Sequence, residues 1–298
     1  MKPIGSAAAL AFILSIAGVT GLHAQSPQRV VPDLHARNIV VEYYEPRDAY
    51  YKAIYDRLQE RKVLEELGQF LAPVNWPRTL RLIAKQCPPG RGIFYNYDEY
   101  SLIVCYDFFK MLKKITDEAS KKYPSFATPQ EVIVGGLVGI VLHEAGLAAF
   151  DMLGTPLLGS DQDAGDQIAS LMGLQFGPQV ARTVIKGTYL FWTWQRDQNT
   201  SQTFNLASSS SVEPQRAFNA LCIAYGSPQS ATFKDLVDKG LLTNARAGNC
   251  VDEYKQAAEA FVKTIQPHIN QELMRKALAM CSSSGTESTC WIESEDLK

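Results

Sequence analysis

The sequence has little net charge and few charged residues. Lysine and arginine number 29 and aspartate and glutamate number 31, so the formal net charge is −2. This balance is typical neither of a disordered acidic tail nor of a polybasic nucleic-acid-binding protein. Apolar residues make up 46% of the 298 residues, enough for a sizeable core in one large domain or two small ones. We therefore expect a compact globular protein without a nucleic-acid partner.

The first apolar run lies at the N-terminus and is shorter than the roughly 20 residues that a transmembrane helix needs. Residues 7–19 follow Lys2 and lead into small residues that end at Ala24. A positive residue, an apolar run and a small-residue cleavage site are typical of a secretory signal peptide. The pattern predicts cleavage after Ala24, although Leu22 at the −3 position leaves a neighbouring cut or an uncut anchor open.

Beyond the N-terminus, the longest apolar run covers only residues 132–142. A membrane-spanning helix needs roughly 20 apolar residues, so no membrane span is expected in the mature chain. The sequence thus predicts a signal peptide over residues 1–24 and one domain over residues 25–298, located in the periplasm or secreted.

Cysteine is scarce, with six residues in the whole chain. Six cysteines in a chain of this length exclude a small fold held together mainly by disulfides. Export to an oxidising compartment favours three disulfides over a metal cluster. The connectivity is open from sequence alone. The simplest pairing joins nearest neighbours: Cys87 with Cys105, Cys222 with Cys250, and Cys281 with Cys290.

Several motifs of other enzyme classes are missing. No G-x-S-x-G motif accompanies His35 or His268, and disulfide formation would consume the thiols, so serine and cysteine hydrolases have little support. No phosphate-binding loop, dinucleotide fingerprint or basic patch with interleaved aromatic residues is visible either.

Hydrophobic periodicity predicts a helix-rich α+β domain with a small sheet near the N-terminus. Thr128 as N-cap and Pro129 at the first helical position mark the start of a long helix. Strands are expected over residues 38–44, 79–85, 92–97 and 101–106. Helices are expected over residues 49–71, 108–122, 129–153, 161–174, 178–196, 213–225, 230–238, 251–265 and 267–279.

The long predicted helix carries a His143-Glu144 pair inside an apolar stretch. In zinc peptidase helices, two histidines four residues apart bind the metal, and the glutamate after the first acts as general base on the zinc-bound water. Here the residue four positions after His143 is Leu147. The pair alone is equally compatible with two buried, hydrogen-bonded side chains in a structural helix.

Acidic residues follow the pair at spacings that suit further metal ligands. Asp151 lies eight residues after His143 on the same helix face, and Asp161, Asp163 and Asp166 lie on the next predicted helix. A second helix supplies the third ligand in zinc peptidases of the glutamate-ligand type, and an acid beside a ligating histidine orients it. Capping of the second helix by Asp161 and Asp163 explains these acids equally well.

The two helices together resemble the signature of a bacterial zinc metallopeptidase family classified as a domain of unknown function. The family pattern is similar to HExGHAxxDxxxxPxxGxEEDAADQ. The matching residues are His143-Glu144-Ala145-Gly146, Asp151, Pro156, Gly159 and Asp163-Ala164-Gly165-Asp166-Gln167. Further landmarks are Gly92-Ile93-Phe94-Tyr95-Asn96, Cys105-Tyr106-Asp107, Gln215-Arg216-Ala217-Phe218-Asn219, Cys222, Tyr225-Gly226, Arg246, Cys250 and Glu253-Tyr254. The resemblance covers essentially the mature chain and implies a zincin-like fold, with zinc as the cofactor of intact members.

Two positions depart from the family pattern. Leu147 stands where the second histidine ligand is expected, and Gln162 stands where an acid, the expected third ligand, belongs. Leucine has no donor atom, and a neutral amide oxygen is a far poorer zinc ligand than a carboxylate. His143 alone cannot hold zinc, so the cofactor expectation is none, or zinc weakly bound.

The sequence therefore predicts a metallopeptidase-like protein with a degenerate HExxH zinc site, catalytically inactive and acting by binding a peptide or protein. The alternative is an active metallopeptidase in which Glu144 is the general base and His143 is joined by Asp151, Asp163 or Asp166 as replacement ligands. These oxygen donors would also suit calcium or manganese. A third hypothesis is a purely structural helical protein.

Overall fold

A computed structural model describes residues 37–122, 125–198 and 211–280 of the chain. The predicted signal peptide and the Cys281–Cys290 pair lie outside the described residues. Within them, the protein is a helix-rich α+β domain with a four-stranded sheet close to its N-terminus, as the sequence predicts.

The sheet is parallel except for one edge strand. Its strands are β1 (Ile39–Tyr43), β2 (Leu80–Lys85), β3 (Ile93–Asn96) and β4 (Ser101–Cys105). Their spatial order is β1-β2-β4-β3, with β1 and β4 parallel to β2, and β3 antiparallel to β4 at the edge. All four strands lie within one or two residues of the predicted positions.

Eleven α-helices occur within the described residues. They are α1 (Lys52–Glu60), α2 (Val63–Leu71), α3 (Tyr106–Lys122), α4 (Pro129–Leu153), α5 (Asp161–Gln175), α6 (Gly177–Gln198), α7 (Glu213–Gly226), α8 (Asp235–Asp238), α9 (Asn244–Ala247), α10 (Cys250–Thr264) and α11 (Gln271–Met280). Helices α2, α3 and α4 pack on the sheet. Alternate side chains of the central strands, such as Leu82 and Leu102, bury themselves against these helices.

The prediction of one helix over residues 49–71 is wrong. A 3₁₀ turn (Ala49–Tyr51) comes first, and Lys62 then adopts a left-handed conformation with φ of 51°, which separates α1 from α2. The helical spacing of apolar residues continues across the break because both helices bury one face. Lysine at the break does not indicate a left-handed backbone conformation, which glycine or asparagine would. The predicted helices over residues 230–238 and 267–279 likewise begin as 3₁₀ turns, and α9 was not predicted.

Helix α4 is the centre of the fold. Thr128 and Glu131 form a reciprocal capping box at its start, and Gly154 ends it in a left-handed conformation, so both boundaries agree with the sequence prediction. Every residue from Val132 to Ala149 is buried. By length and composition α4 could span a membrane, but its apolar window lies entirely inside the fold, as expected of a helix that is hydrophobic on all sides in a core.

Helix α4 crosses α6 at backbone contact distance. A Cβ atom on Gly135 would lie 1.9 Å from the Thr183 carbonyl oxygen, and one on Gly187 would lie 2.2 Å from the Gly135 carbonyl carbon. Real Cβ atoms do not approach main-chain atoms so closely. The crossing therefore requires glycine on both helices.

Two disulfides are present among the described residues. Cys87–Cys105 joins the segment after β2 to the end of β4, and Cys222–Cys250 joins α7 to the start of α10. Both are the nearest-neighbour pairings predicted from the sequence. Structural disulfides of this kind are typical of proteins that fold outside the reducing cytosol, and they indicate a non-cytoplasmic protein.

The α4–α6 crossing gives a stability prediction. Alanine normally stabilises a helix interior relative to glycine by about 1 kcal/mol, but overpacking costs about 1–3 kcal/mol or more. We expect Gly135→Ala and Gly187→Ala each to lower the free energy of unfolding by at least about 2 kcal/mol in denaturant titrations.

The matched control is Gly159→Ala, because a Cβ at that position meets no atom within 4 Å. Its free energy of unfolding should stay within about 0.5 kcal/mol of wild type. A stabilised Gly135→Ala variant would contradict the described crossing.

Candidate functional site

The crossing of α4 and α5 brings the two halves of the family signature together. A Cβ atom on Gly146 would lie 3.3 Å from the Gly165 Cα atom, so the two helix backbones nearly touch. A Cβ on Gly165 would lie 3.0 Å from His143 Nδ1 and 3.1 Å from Leu147 Cδ2. His143 and Leu147 therefore share the face of α4 that meets α5, which is the arrangement that two ligands of an HExxH helix need.

His143 is buried between two residues of α5. Its Nδ1 atom lies 2.9 Å from Asp166 Oδ1, and its Nε2 atom lies 3.2 Å from Gln162 Oε1. An ionised Asp166 can only accept, so Nδ1 carries a proton. In a neutral imidazole Nε2 then only accepts, so the bond to Gln162 requires the NH2 end of its carboxamide, which has the same shape as the oxygen end, to face Nε2.

Arg216 on α7 completes this cluster. Its Nε donates to Asp166 Oδ2 at 2.6 Å and its Nη2 donates to Oδ1 at 3.0 Å, a bidentate pair. The guanidinium lies 3.5 Å from the centre of the Trp192 ring on α6, and Nη2 lies 3.4 Å from His143 Nε2. One cation thus links α4, α5, α6 and α7.

Opposing effects act on the pKa of Asp166. Burial by itself would raise it, but hydrogen bonds from His143 and Arg216 and the electrostatic interactions with these two side chains outweigh burial and lower the pKa below its ordinary value. Asp166 is therefore ionised and acts as the anchor for both side chains.

Glu144 lies between this cluster and the sheet. It is 9% exposed, its Oε2 accepts the backbone N–H of Tyr95 on β3 at 2.8 Å, and its Oε1 lies 3.9 Å from His143 Nε2. Burial raises the pKa of Glu144, although the nearby His143 and Arg216 side chains and the Tyr95 hydrogen bond act to lower it.

The other candidate acids have partners of their own. Asp151 accepts the Tyr95 hydroxyl at 2.7 Å, and Asp163 accepts the backbone N–H and hydroxyl of Ser211 at 3.2 and 3.1 Å. Of the four metal candidates, the structure thus brings His143 and Asp166 together and engages Asp151 and Asp163 elsewhere. The capping interpretation of the acids needs a correction, because Ser160 is the N-cap of α5; Asp161 accepts the Gln162 N–H at 2.8 Å within the first turn, and Asp163 lies in that turn.

The donor set does not fit a catalytic zinc ion. No group of three or more histidine, cysteine, aspartate or glutamate side chains that could hold a metal occurs in the described part of the chain. Catalytic zinc needs three protein ligands, whereas this face offers His143, the neutral amide of Gln162 and the hydrocarbon of Leu147. Nonetheless, the 3.2 Å between Nε2 and Oε1 is close to the ligand separation of about 3.3 Å in a tetrahedron with zinc bonds near 2 Å.

Beside the site, β3 is the edge strand of the sheet, and its outward-facing residues Ile93 and Tyr95 are buried against α4. Gly92 accepts from the Cys105 N–H, so alternate residues from Gly92 onward bond to β4, while Ile93 and Tyr95 direct their backbone groups outward. Glu144 takes the Tyr95 N–H. Within the described residues, the Ile93 N–H and the carbonyls of Ile93 and Tyr95 have no hydrogen-bond partner.

Exposed apolar side chains occur just after β3 and just before α5. Tyr97, just beyond β3, is 46% exposed and donates its hydroxyl to Asp161 at the start of α5. The loop that precedes α5 carries Leu157 and the fully exposed Leu158.

Arg216 and Trp192 were not predicted from the sequence to belong to the site. Arg216 lies 50 residues from Asp166 along the chain, and periodicity gives no sign of that contact. The only available signal was the place of Arg216 in the family resemblance.

The raised pKa of Glu144 makes a stability prediction. A buried acid with a raised folded pKa favours the fold at low pH, and that contribution is lost as pH rises through the folded value. Glu144→Gln keeps an acceptor oxygen without the charge, so its melting temperature should exceed that of wild type at pH 7. The two melting temperatures should converge near pH 4.

Thermal unfolding from about pH 4 to about pH 8 measures this difference. Glu99→Gln, at an exposed position in the β3–β4 turn, controls for the loss of one negative charge. A difference that stays constant over the whole pH range would show that the burial of Glu144 does not carry the effect.

Comparison with known proteins identifies the family of the chain. A family model described as "Putative metallopeptidase" matches residues 43–264, which is about three quarters of the sequence and includes α4, α5 and α7. No curated protein and no solved structure matches the chain. The matched span contains every residue of the His143 cluster, and the chain belongs to this metallopeptidase family.

Proposed function

We propose that the protein is an exported, catalytically inactive member of the metallopeptidase family that acts by binding an extended peptide or protein segment. The observation that carries the proposal is Leu147. It occupies the ligand position beside His143, against the same point of α5, and supplies only carbon atoms.

The surroundings of His143 support the loss of the metal. The Nε2 lone pair, which would bind zinc, already faces the Gln162 carboxamide. The Arg216 guanidinium lies within 3.5 Å of both ring nitrogens, and its positive charge opposes a dication at the same place. Without metal-activated water, Glu144 has no nucleophile to deprotonate.

The edge of β3 supports a binding role. Extended segments add to sheet edges through main-chain hydrogen bonds, and the outward-directed backbone groups of Ile93 and Tyr95 on this edge strand are followed by the exposed Tyr97. Main-chain pairing needs no catalytic group, so it survives the loss of the zinc ligands.

An active metallopeptidase with replacement ligands has less support. Asp166 would have to leave its bidentate pair with Arg216, and Asp151 and Asp163 would have to leave Tyr95 and Ser211. Breaking a buried ion pair costs about 3–5 kcal/mol, which a weak metal site would have to offset.

Restoring the missing ligands tests the assignment of the degenerate site. We expect the wild-type protein, dialysed against zinc and then against buffer, to retain less than about one tenth of a zinc ion per chain by elemental mass spectrometry. The double variant Leu147→His/Gln162→Glu should retain about one, because it supplies three ligands around the existing spacing of His143 and residue 162.

The matched control is Leu147→His/Gln162→Leu, which gains the histidine but lacks the carboxylate. Near-stoichiometric zinc in wild type, together with chelator-sensitive proteolysis that Glu144→Gln abolishes, would overturn the proposal of inactivity. A folded double variant without zinc would contradict the assigned ligand positions.

The binding role has a separate test at β3. Ile93→Pro removes the outward N–H and leaves the ladder to β4 intact, whereas Ile93→Ala removes similar apolar contacts and keeps the N–H. The probe is a fluorescein-labelled degenerate peptide library with chains of about ten residues. We expect Ile93→Pro to weaken binding at least about tenfold relative to Ile93→Ala, a loss of about 1.4 kcal/mol, in fluorescence anisotropy. Equal affinities would exclude the edge as the binding site.

A further inference from the structure

Arg246 on α9 lies directly against the sulfur atoms of the Cys222–Cys250 disulfide. Its Nη1 atom is 2.6 Å from Cys222 Sγ and 3.9 Å from Cys250 Sγ, and its carbonyl oxygen is 3.3 Å from Cys250 Sγ. The guanidinium also pairs with both carboxylate oxygens of Glu253 and donates to Asn219 Oδ1 at 3.1 Å. A permanent cation therefore divides its N–H groups between a carboxylate and a disulfide.

The contacts of Arg246 suit the reduced cysteines better than the disulfide. A disulfide sulfur is neutral, whereas a thiolate carries a full negative charge that an adjacent arginine stabilises. Reduction would place a Cys222 thiolate beside Nη1, and a Cys250 thiol would donate to the Arg246 carbonyl oxygen one helical turn before it. Both products thus have a partner in place. Stabilisation of the reduced form raises the reduction potential of a disulfide.

The other described disulfide, Cys87–Cys105, has no such cation. Cys87 Sγ lies 3.7 Å from the carbonyl oxygen of Lys85, and in the described ranges no lysine or arginine side chain donates to either sulfur. Both disulfides have one cysteine at the start of a helix, since Cys105 directly precedes α3 and Cys250 is the first residue of α10. A helix start therefore does not distinguish the two disulfides, whereas the guanidinium does.

Arg246 reaches the buried disulfide from a short and exposed helix. Cys222 and Cys250 are 0% exposed, but none of the four residues of α9 is buried. Segments with few buried contacts open locally at a low free energy. The α7–α10 contact is much closer, because a Cβ atom on Gly226 would lie 2.0 Å from the Cys250 carbonyl oxygen. Local opening of α9 is therefore the route to the sulfur atoms that disturbs the fold least.

We propose that Cys222–Cys250 is a reducible disulfide: Arg246 stabilises its reduced form, and its opening by a dithiol reductant loosens α7, which carries Arg216. The disulfide ties α7 to α10 near one end of the helix, and Arg216 ties α7 to Asp166 near the other. The redox state of the disulfide thus reaches the His143 cluster through a single helix, independently of any bound peptide.

The reduction transfers two electrons from the dithiol to the disulfide. A thiolate of the dithiol attacks Cys250 Sγ, the S–S bond breaks, and Cys222 leaves as a thiolate beside Arg246. The second thiol of the reductant then attacks the mixed disulfide and releases Cys250, and the reductant leaves as a disulfide. One proton of the dithiol ends on Cys250 and the other goes to solvent.

Reduction equilibria of Arg246 variants test the role of the cation. The folded protein is equilibrated with reduced and oxidised dithiothreitol, free thiols are alkylated, and peptide mass spectrometry follows each cysteine separately. Arg246→Met should lower the equilibrium constant for reduction of Cys222–Cys250 at least about tenfold, a shift of about 30 mV for a two-electron couple. Arg246→Lys keeps a cation and should lie nearer to wild type.

Glu253→Gln should change this constant in the opposite direction. It removes the carboxylate that competes for the guanidinium, so reduction of Cys222–Cys250 should become about threefold more favourable. This variant decides the question if Arg246→Met does not fold. A Glu253→Gln constant equal to or below that of wild type would count against the proposal.

The matched control is Arg182→Met, because Arg182 makes a bidentate pair with Asp235 at a similarly half-buried position and contacts no sulfur atom. Its constant for Cys222–Cys250 should match that of wild type, and Cys87–Cys105 should keep its constant in every variant. Equal constants for wild type and Arg246→Met, or an equal fall in Arg182→Met, would overturn the role of Arg246.

Amide hydrogen exchange tests the link from the disulfide to α7. Cys222→Ser/Cys250→Ser imitates the reduced form, and its α7 amides should exchange at least about tenfold faster than those of wild type. Cys87→Ser/Cys105→Ser removes the other disulfide and should leave exchange in α7 unchanged. Equal α7 exchange in wild type and Cys222→Ser/Cys250→Ser would overturn the link to Arg216.

Discussion

The buried ion pair between Asp166 and Arg216 is the interaction on which the rest of the site depends. An unpaired charge in this position would cost several kcal/mol, so each residue requires the other. Asp166 also fixes the proton of His143, and Arg216 stacks on Trp192, so one pair sets the relative positions of α4, α5, α6 and α7. The ion pair itself needs no metal, so it holds these helices in place whether or not a metal is bound.

The glycine contacts explain how the site can persist without its ligands. Gly146 and Gly165 hold α4 and α5 together at backbone distance, independently of the side chains at positions 147 and 162. Leu147 then fills the space beside His143 with apolar volume, which is favourable in a core. The packing of α4 against α5 therefore does not require metal ligands at positions 147 and 162.

The sequence predicts some parts of this molecule well, and the reasons are local. The limits of α4 follow from Thr128 and Gly154, and the strands follow from alternating apolar residues. The contacts of Glu144 with Tyr95 and of Arg216 with Asp166 join residues about 50 positions apart, which no local pattern encodes. The break at Lys62 also has no local signal, because a non-glycine left-handed residue is set by the packing of the two helices on either side.

The apolar character of the buried helix α4 has a consequence for the unfolded chain when it meets a membrane. Before folding, the apolar first half of this helix is a segment that a membrane-insertion machinery could take for a stop-transfer sequence. A charged residue near the middle of a candidate span raises its insertion free energy by about 2.5–3.5 kcal/mol. Glu144 and the neighbouring His143 lie within this helix, so the polar pair that contacts α5 and β3 in the folded protein also lowers the tendency of the unfolded segment to insert into a membrane.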